Sequence, residues 1–91
     1  MLPLNTIKER MEKLDNWGLE ADRIVKDLSF ESFERVKDFI NKLFEVAEKH
    51  KHHPDIMISF TTVRISLTTH EEKGLTLKDF EVAEEIDRIY K

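Results

Sequence analysis

The sequence predicts an α+β fold, a four-stranded antiparallel sheet with three helices on one face, in the order α-β-β-α-β-β-α. Two patterns carry this prediction. Apolar residues recur at helical spacing across residues 33–47, and apolar and polar residues alternate through residues 55–70, as they do in half-buried strands. A chain of 91 residues is long enough for one domain and too short for two, so residues 1–91 are assigned to a single domain.

The first helix is expected near the start of the chain. Thr6 and Glu9 have the spacing of a capping box. Three apolar residues follow at helical intervals: Ile7, Met11 and Leu14. We expect this helix to end near Asn16–Gly18.

Two short strands are predicted next, because the periodicity shortens after the first helix. We assign them to Trp17–Glu20 and Arg23–Leu28, joined by a tight turn around Ala21–Asp22. Four residues of the second segment share one parity: Ile24, Lys26, Leu28 and Phe30.

The second helix has the clearest pattern in the chain. Its apolar stripe is about 100° wide and consists of Phe33, Val36, Ile40, Leu43, Phe44 and Ala47. Phe39 and Val46 widen this arc, either because the helix contacts another subunit or because it is buried on more than one side within the chain. Pro54 disfavours helical geometry at the preceding residue, so the helix should stop by His52 or His53.

A hairpin and a last helix complete the predicted fold. Ile56, Ile58 and Phe60 alternate with Asp55, Met57 and Ser59. A second alternating segment follows Thr61–Thr62: Val63, Ile65, Leu67 and Thr69. His70 has the opposite parity, so it should point away from the face of Val63. Gly74 interrupts the chain, and Thr76 is expected to cap a helix with one apolar side: Val82, Ala83, Ile86, Ile89 and Tyr90.

Composition excludes several classes of function. The formal charge of −4 argues against a general nucleic-acid binder. No segment has the roughly 20 apolar residues that a membrane span needs, and the charged residues within 1–13 argue against a signal peptide. The chain has no cysteine, which suits a reducing compartment, so a cytoplasmic location is expected. Small domains often gain stability by association, so a homodimer or homotetramer is expected as well.

All four histidines lie in the second half of the chain, and three of them crowd the end of the second helix: His50, His52 and His53. Glu48 lies four residues before His52 and would share its face if the helix continued that far. An imidazole can both give and take protons near neutral pH. A pair of imidazoles therefore suits the elimination of water, in which a departing hydroxyl needs a proton and a nitrogen loses one.

Other interpretations of this cluster remain open. Basic residues at a helix end can simply complement the helix dipole, and His50 projects onto the apolar arc, where packing or an interface is expected. Zinc could be bound by His50 with His52, or by His52, His53 and His70. A metal site is disfavoured because the chain has no His-Glu-x-x-His helix and no cysteine pair.

The same residues form a longer pattern. It comprises the segment Glu48-Lys49-His50-Lys51-His52-His53-Pro54, then Phe60, Thr68-Thr69-His70, Gly74-Leu75-Thr76 and Asp79. This pattern resembles the signature of the pterin-4a-carbinolamine dehydratases in residue type and in spacing. Upstream residues also resemble the first half of that family: Trp17, Ile24, Lys26, Leu28, Phe30 and Phe33.

The resemblance implies a fold and a reaction. The family fold has a four-stranded antiparallel sheet and three helices, which agrees with the order predicted from periodicity. The implied reaction converts 4a-hydroxytetrahydrobiopterin, or a related pterin, to the quinonoid dihydropterin and water, with no metal or cofactor. This reaction recycles the cofactor of aromatic amino acid hydroxylases. The implied partner is therefore a small-molecule pterin, with no nucleic acid and no membrane.

The resemblance also implies seven residues in the pterin pocket: Glu48, His52, His53, Thr68, Thr69, His70 and Asp79. It assigns acid and base roles to His52 and His70 and a substrate-positioning role to His53. Glu48 would hold ring nitrogens of the substrate or orient His52.

Asp79 and Phe60 have alternative interpretations, whereas the two threonines have one implied role. Thr68 and Thr69 would contribute hydrogen bonds from the end of the strand. Asp79 would lie beside the site, but the spacing Thr76-x-x-Asp79 also predicts a capping box, and both roles can coexist. Phe60 is expected to be a core aromatic beneath the pocket rather than a ring that faces the pterin.

Overall fold

The computed structural model of the chain describes residues 2–91. Its elements are α1 (Leu4–Glu12), β1 (Gly18–Glu20), β2 (Arg23–Ser29), α2 (Phe33–His50), β3 (Asp55–Ser59), β4 (Thr62–Leu67) and α3 (Leu77–Tyr90), with a short 3-10 helix at His70–Glu72. The sheet has the order β1-β2-β4-β3, and every neighbouring pair is antiparallel. The predicted α+β class and the order α-β-β-α-β-β-α are confirmed.

One hydrophobic core joins the helices to the sheet. Alternation along β2 and β4 turns one set of side chains toward the helices, where they are almost fully buried: Ile24, Leu28, Val63, Ile65 and Leu67. The helices contribute the facing residues, among them Ile7, Val36, Leu43, Phe80, Val82 and Ile86. No helix within residues 2–91 combines the length and the apolar composition needed to cross a membrane.

The start of α1 differs from the prediction. The helix begins at Leu4, and the carbonyl of Pro3 accepts a hydrogen bond from the backbone N–H of Ile7 at 3.1 Å. Proline suits this position because its fixed φ is compatible with a helix start. Thr6 therefore lies inside the helix, and the predicted Thr6–Glu9 capping box is wrong.

The end of α1 is also earlier than predicted. The helix ends at Glu12 rather than near Asn16–Gly18. The backbone N–H groups of Lys13 and Leu14 bond to carbonyls only three residues back, which tightens and closes the last turn. The chain then reaches Trp17, which is buried immediately before β1 rather than within it.

The long helix α2 buries part of the predicted stripe, namely Val36, Ile40, Leu43 and Ala47. Phe33 and Phe44 are exposed, whereas Phe39 and Val46, which were expected to widen the arc, are buried in the core. The Phe39 ring lies 6.0 Å from the ring of Tyr90 on α3. The helix thus packs on α3 as well as on the sheet, which accounts for the wider arc without another subunit. The homodimer or homotetramer stays a prediction.

Phe60 is not a core residue, contrary to the prediction. It occupies the two-residue turn between β3 and β4 with φ of 52°, and 74% of its surface is exposed. Its ring stacks against that of Phe33 at a centroid distance of 6.4 Å. The hairpin turn, not the sheet interior, therefore sets the direction of this ring. It lies at the end of β3 that is remote from His52.

A buried ion pair lies between the sheet and α3. Lys26 points from β2 toward the helices, is only 4% exposed, and donates to Asp87 Oδ1 over 2.7 Å. Asp87 also accepts hydrogen bonds from Trp17 Nε1 and from the backbone N–H of Asp15, each at 2.9 Å. Lys26 has the same parity in β2 as Ile24 and Leu28, and its carboxylate partner explains why its burial is tolerated.

Candidate active site

The start of β3 and the end of β4 bring the histidine-bearing segments to one end of the sheet. Asp55 pairs with Ser66, so the residues before β3 and those after β4 lie at the same end. His52 belongs to the first group and His70 to the second. The two segments that were predicted to share a site therefore meet at one place in the fold.

The turn that ends α2 directs His52 inward. Lys51 caps the helix with left-handed geometry, at φ of 53°, and the backbone N–H of His52 bonds to the carbonyl of Ala47 at 3.0 Å. Pro54 follows and keeps the chain extended toward β3. The helix thus stops before His52, as predicted, and the imidazole turns toward α3.

His52 is held by a buried carboxylate. Its Nε2 lies 2.5 Å from Asp79 Oδ1, and the two residues are 8% and 0% exposed. The other oxygen, Oδ2, accepts hydrogen bonds from Thr69 Oγ1 at 2.8 Å and from the backbone N–H of Thr76 at 2.9 Å. Both donors to Asp79 lie on Oδ2, which leaves Oδ1 facing the ring. A carboxylate oxygen there accepts, so the His52 ring donates to it from Nε2.

The second ring nitrogen of His52 is open. Nδ1 has no hydrogen-bond partner among residues 2–91, and it is not one of the buried atoms in that range that lack a partner. It is therefore reached by solvent. When the ring is neutral and Nε2 carries the hydrogen, Nδ1 can accept a proton, and the protonated ring can return it.

Asp79 combines the two roles that the sequence left open. Its Oδ2 accepts the N–H of Thr76 at the start of α3, as a capping residue would, while its Oδ1 holds His52. The capping bond at the start of α3 thereby fixes the position of the Asp79 carboxylate, and the carboxylate fixes the orientation of the His52 ring.

Glu48 does not contact His52, so its predicted role in orienting His52 is wrong. Because α2 ends at His50, the spacing of four residues no longer places the two side chains on one face. Glu48 Oε1 lies instead 3.9 Å from His53 Nε2, and both side chains are exposed. His70 is exposed as well, and it directly follows Thr69 at the start of the 3-10 helix.

Both threonines at the end of β4 are buried and already donate hydrogen bonds within the protein. Thr68 Oγ1 donates to the carbonyl of Asp22 at 2.7 Å, and Thr69 Oγ1 donates to Asp79. The sequence marked Thr76 only as a cap, yet its Oγ1 lies 2.8 Å from Thr69 Oγ1. This contact joins residues seven apart across the loop that contains Gly74, and helical or strand periodicity gives no signal for it.

His50 lies outside this group. It is partly buried between α2 and α3, and its Nε2 lies 2.9 Å from Glu85 Oε1. Hydrogen bonding to His50, together with the nearby Lys49, lowers the pKa of Glu85, and burial opposes the shift. His50 therefore links α2 to α3 through Glu85 and does not contact His52 or Asp79. Within residues 2–91 no three or more histidine, cysteine, aspartate or glutamate side chains converge as a metal site.

This chain is similar to known proteins over nearly its full length. A family model described as pterin 4 alpha carbinolamine dehydratase matches residues 2–89. A Trichormus variabilis protein provisionally named pterin-4-alpha-carbinolamine dehydratase is 45% identical over 83 residues, covering 91% of this chain and 89% of its own. A Sulfolobus acidocaldarius protein with the same provisional name is 35% identical over 85 residues, covering 93% of both chains.

Two solved structures are similar in fold. The transcriptional coactivator/pterin dehydratase from Brucella melitensis superposes with a TM-score of 0.95 at 27% identity, covering 99% of this chain and 98% of its own. A pterin dehydratase-like protein, described as a RuBisCO assembly factor in the alpha-carboxysome, gives a TM-score of 0.68 at 20% identity. That alignment covers 81% of this chain and 86% of the other, and it shows the fold alone.

Proposed function

The chain belongs to the pterin-4a-carbinolamine dehydratase family, and from that premise we propose that it dehydrates 4a-hydroxytetrahydrobiopterin, or a related 4a-carbinolamine, to the quinonoid dihydropterin and water. The observation that carries the proposal is the buried Asp79–His52 pair with Nδ1 of His52 left open. An imidazole fixed in this way is oriented for proton transfer, and His70 directly follows Thr69, whose hydroxyl donates to the same carboxylate.

The reaction divides into two proton transfers. The C4a–O bond breaks, the hydroxyl leaves as water with a proton from one imidazolium, and a neutral imidazole takes the proton from the adjacent ring nitrogen. His52 takes this proton as the base and His70 supplies the other as the acid, each contributing a factor of typically 10²–10⁴ to the rate. His52 works from Nδ1, because Nε2 is occupied by Asp79.

The remaining residues bind the substrate. His53 and Glu48 are exposed side by side and can donate to and accept from the polar edge of a pterin ring. Thr68 and Thr69 have their hydroxyl protons engaged, so toward the substrate they can only accept. The cellular role proposed is the recycling of a tetrahydropterin cofactor in the cytoplasm, with no metal or cofactor of its own.

The experiment that tests this function is a dehydration assay on freshly generated 4a-carbinolamine, followed by the absorbance of the quinonoid product. The rate should rise in proportion to protein concentration and should not change when a metal chelator is added. A rate no faster than that of buffer at every protein concentration would contradict the proposal.

A second candidate function is a noncatalytic protein-interaction module that uses the surface of α2. The exposed aromatic residues Phe33 and Phe44 on that helix, with Phe60 stacked on Phe33, favour it. Exposed aromatic groups are typical of surfaces that bind other proteins. The same assay separates the two candidates, since the module predicts no turnover.

A further inference from the structure

We infer that Thr76 is a positioning residue which, through Thr69 and Asp79, keeps His52 in the tautomer with hydrogen on Nε2 and so reserves Nδ1 for the substrate. The inference rests on the proposed dehydration, because only a reacting imidazole gives the choice of nitrogen a consequence. The hydrogen-bond directions within the buried network carry it.

The direction of each bond follows from counting protons. Thr69 Oγ1 lies 2.8 Å from Asp79 Oδ2 and 2.8 Å from Thr76 Oγ1. A carboxylate oxygen only accepts, so the single hydroxyl proton of Thr69 is directed to Asp79. The contact between the two threonine hydroxyls must then use the proton of Thr76. The Thr76 hydroxyl thus donates to the Thr69 hydroxyl, which in turn donates to the Asp79 carboxylate.

Thr76 acts on the carboxylate twice. Its backbone N–H donates directly to Oδ2 at 2.9 Å, and its hydroxyl orients and polarises the Thr69 hydroxyl that donates to the same oxygen. Without the Thr76 hydroxyl, the Thr69 hydroxyl could rotate away from Asp79. Oδ2 would then keep only the backbone N–H of Thr76 as a fixed donor. Water could not readily replace the lost donor, because Asp79 is 0% exposed.

The consequence for His52 concerns which nitrogen is protonated. The Asp79 carboxylate favours the Nε2–H tautomer only while it stays charged and fixed within 2.5 Å of the ring. A mobile or less charged carboxylate lets the neutral ring populate the Nδ1–H form, which cannot accept a proton from the substrate at Nδ1. Turnover should then fall in proportion to the population lost, without a matching change in substrate affinity.

The test compares Thr76→Val with Thr76→Ser by ¹⁵N NMR of the neutral His52 ring and by steady-state kinetics. Thr76→Val should populate the Nδ1–H tautomer and lower kcat about fivefold, with KM nearly unchanged, the size expected for one neutral hydrogen bond. Thr76→Ser should restore both readouts. Ser32→Ala, which removes the side-chain cap of α2 far from this network, should change neither.

A folded Thr76→Val protein whose His52 tautomer matches that of the unchanged chain would overturn the inference. The tautomer is read without turnover, so inactivity of the unchanged chain would defeat the proposed function and leave this test standing. If Thr76→Val does not fold, neutron diffraction of the unchanged protein decides. The Thr76 hydroxyl deuterium should point at Thr69 Oγ1, and any other direction contradicts the inference.

Discussion

Replacing both His52 and His70 with alanine is expected to lower kcat for dehydration by at least about 10³-fold. Each imidazole carries one proton transfer, and general acid–base catalysis is worth typically 10²–10⁴ per group. The combined loss should be smaller than the product of the single losses, because the two groups act in one step. Steady-state rates of the single and double variants measure this directly.

Two matched variants separate chemistry from folding. His50→Ala removes an imidazole that is bonded to Glu85 outside the site, and it should keep kcat within about twofold of the unchanged chain, because this imidazole takes no part in the proposed proton transfers. His52→Gln offers an amide donor to the buried Asp79 but cannot transfer a proton, so it should stay folded and inactive. A double alanine variant that retains full turnover would end the proposed mechanism.

Asp87→Ala should destabilise the fold by about 3–5 kcal/mol, the typical cost of breaking a buried ion pair from one side. The change leaves Lys26 charged and only 4% exposed, and it also removes the acceptor of Trp17 Nε1. Chemical denaturation gives the free energy of unfolding. Since Asp87 lies away from the histidines, the protein that remains folded should keep its turnover.

The control for this prediction is Asp27→Ala. Asp27 forms a bidentate salt bridge with Arg64 on the face of the sheet that the helices do not cover. Arg64 Nε donates to Oδ1 at 2.9 Å and Nη2 donates to Oδ2 at 3.1 Å, and both side chains are exposed. Because solvent screens this exposed pair, its loss should lower the free energy of unfolding far less than the loss of Asp87. Replacing Lys26 by Met and Asp87 by Leu together should recover most of the stability. Equal costs for Asp87→Ala and Asp27→Ala would contradict the account of the buried pair.

The sequence predicted the elements because their periodicity is local. Lys26 shares the parity of Ile24 and Leu28 along β2, yet nothing near Lys26 in the chain revealed Asp87 as its partner, 61 residues away. The exposure of Phe33 and Phe44 was missed for a related reason. Periodicity gives the arc of a helix, but how α2 is rotated against α3 and the sheet depends on contacts between distant segments.

The hydrogen bonds that connect the candidate site residues were not predicted. The resemblance supplied His52, His70 and Asp79, and the fold brings their segments to one end of the sheet. The carboxylate partner of His52 was assigned to Glu48 from helical spacing, whereas a left-handed turn at Lys51 breaks that spacing. Single-residue backbone geometry of this kind is not encoded in apolar periodicity.

The central claim is that His52 and His70 serve one pterin site, and titration with a stable dihydropterin tests it most directly. The ring resonances of both histidines should shift together and saturate at the same ligand concentration, while those of His50 stay in place. Unmoved resonances of His52 and His70 at saturating dihydropterin, or shifts that saturate at different concentrations, would show that the two imidazoles do not share a ligand.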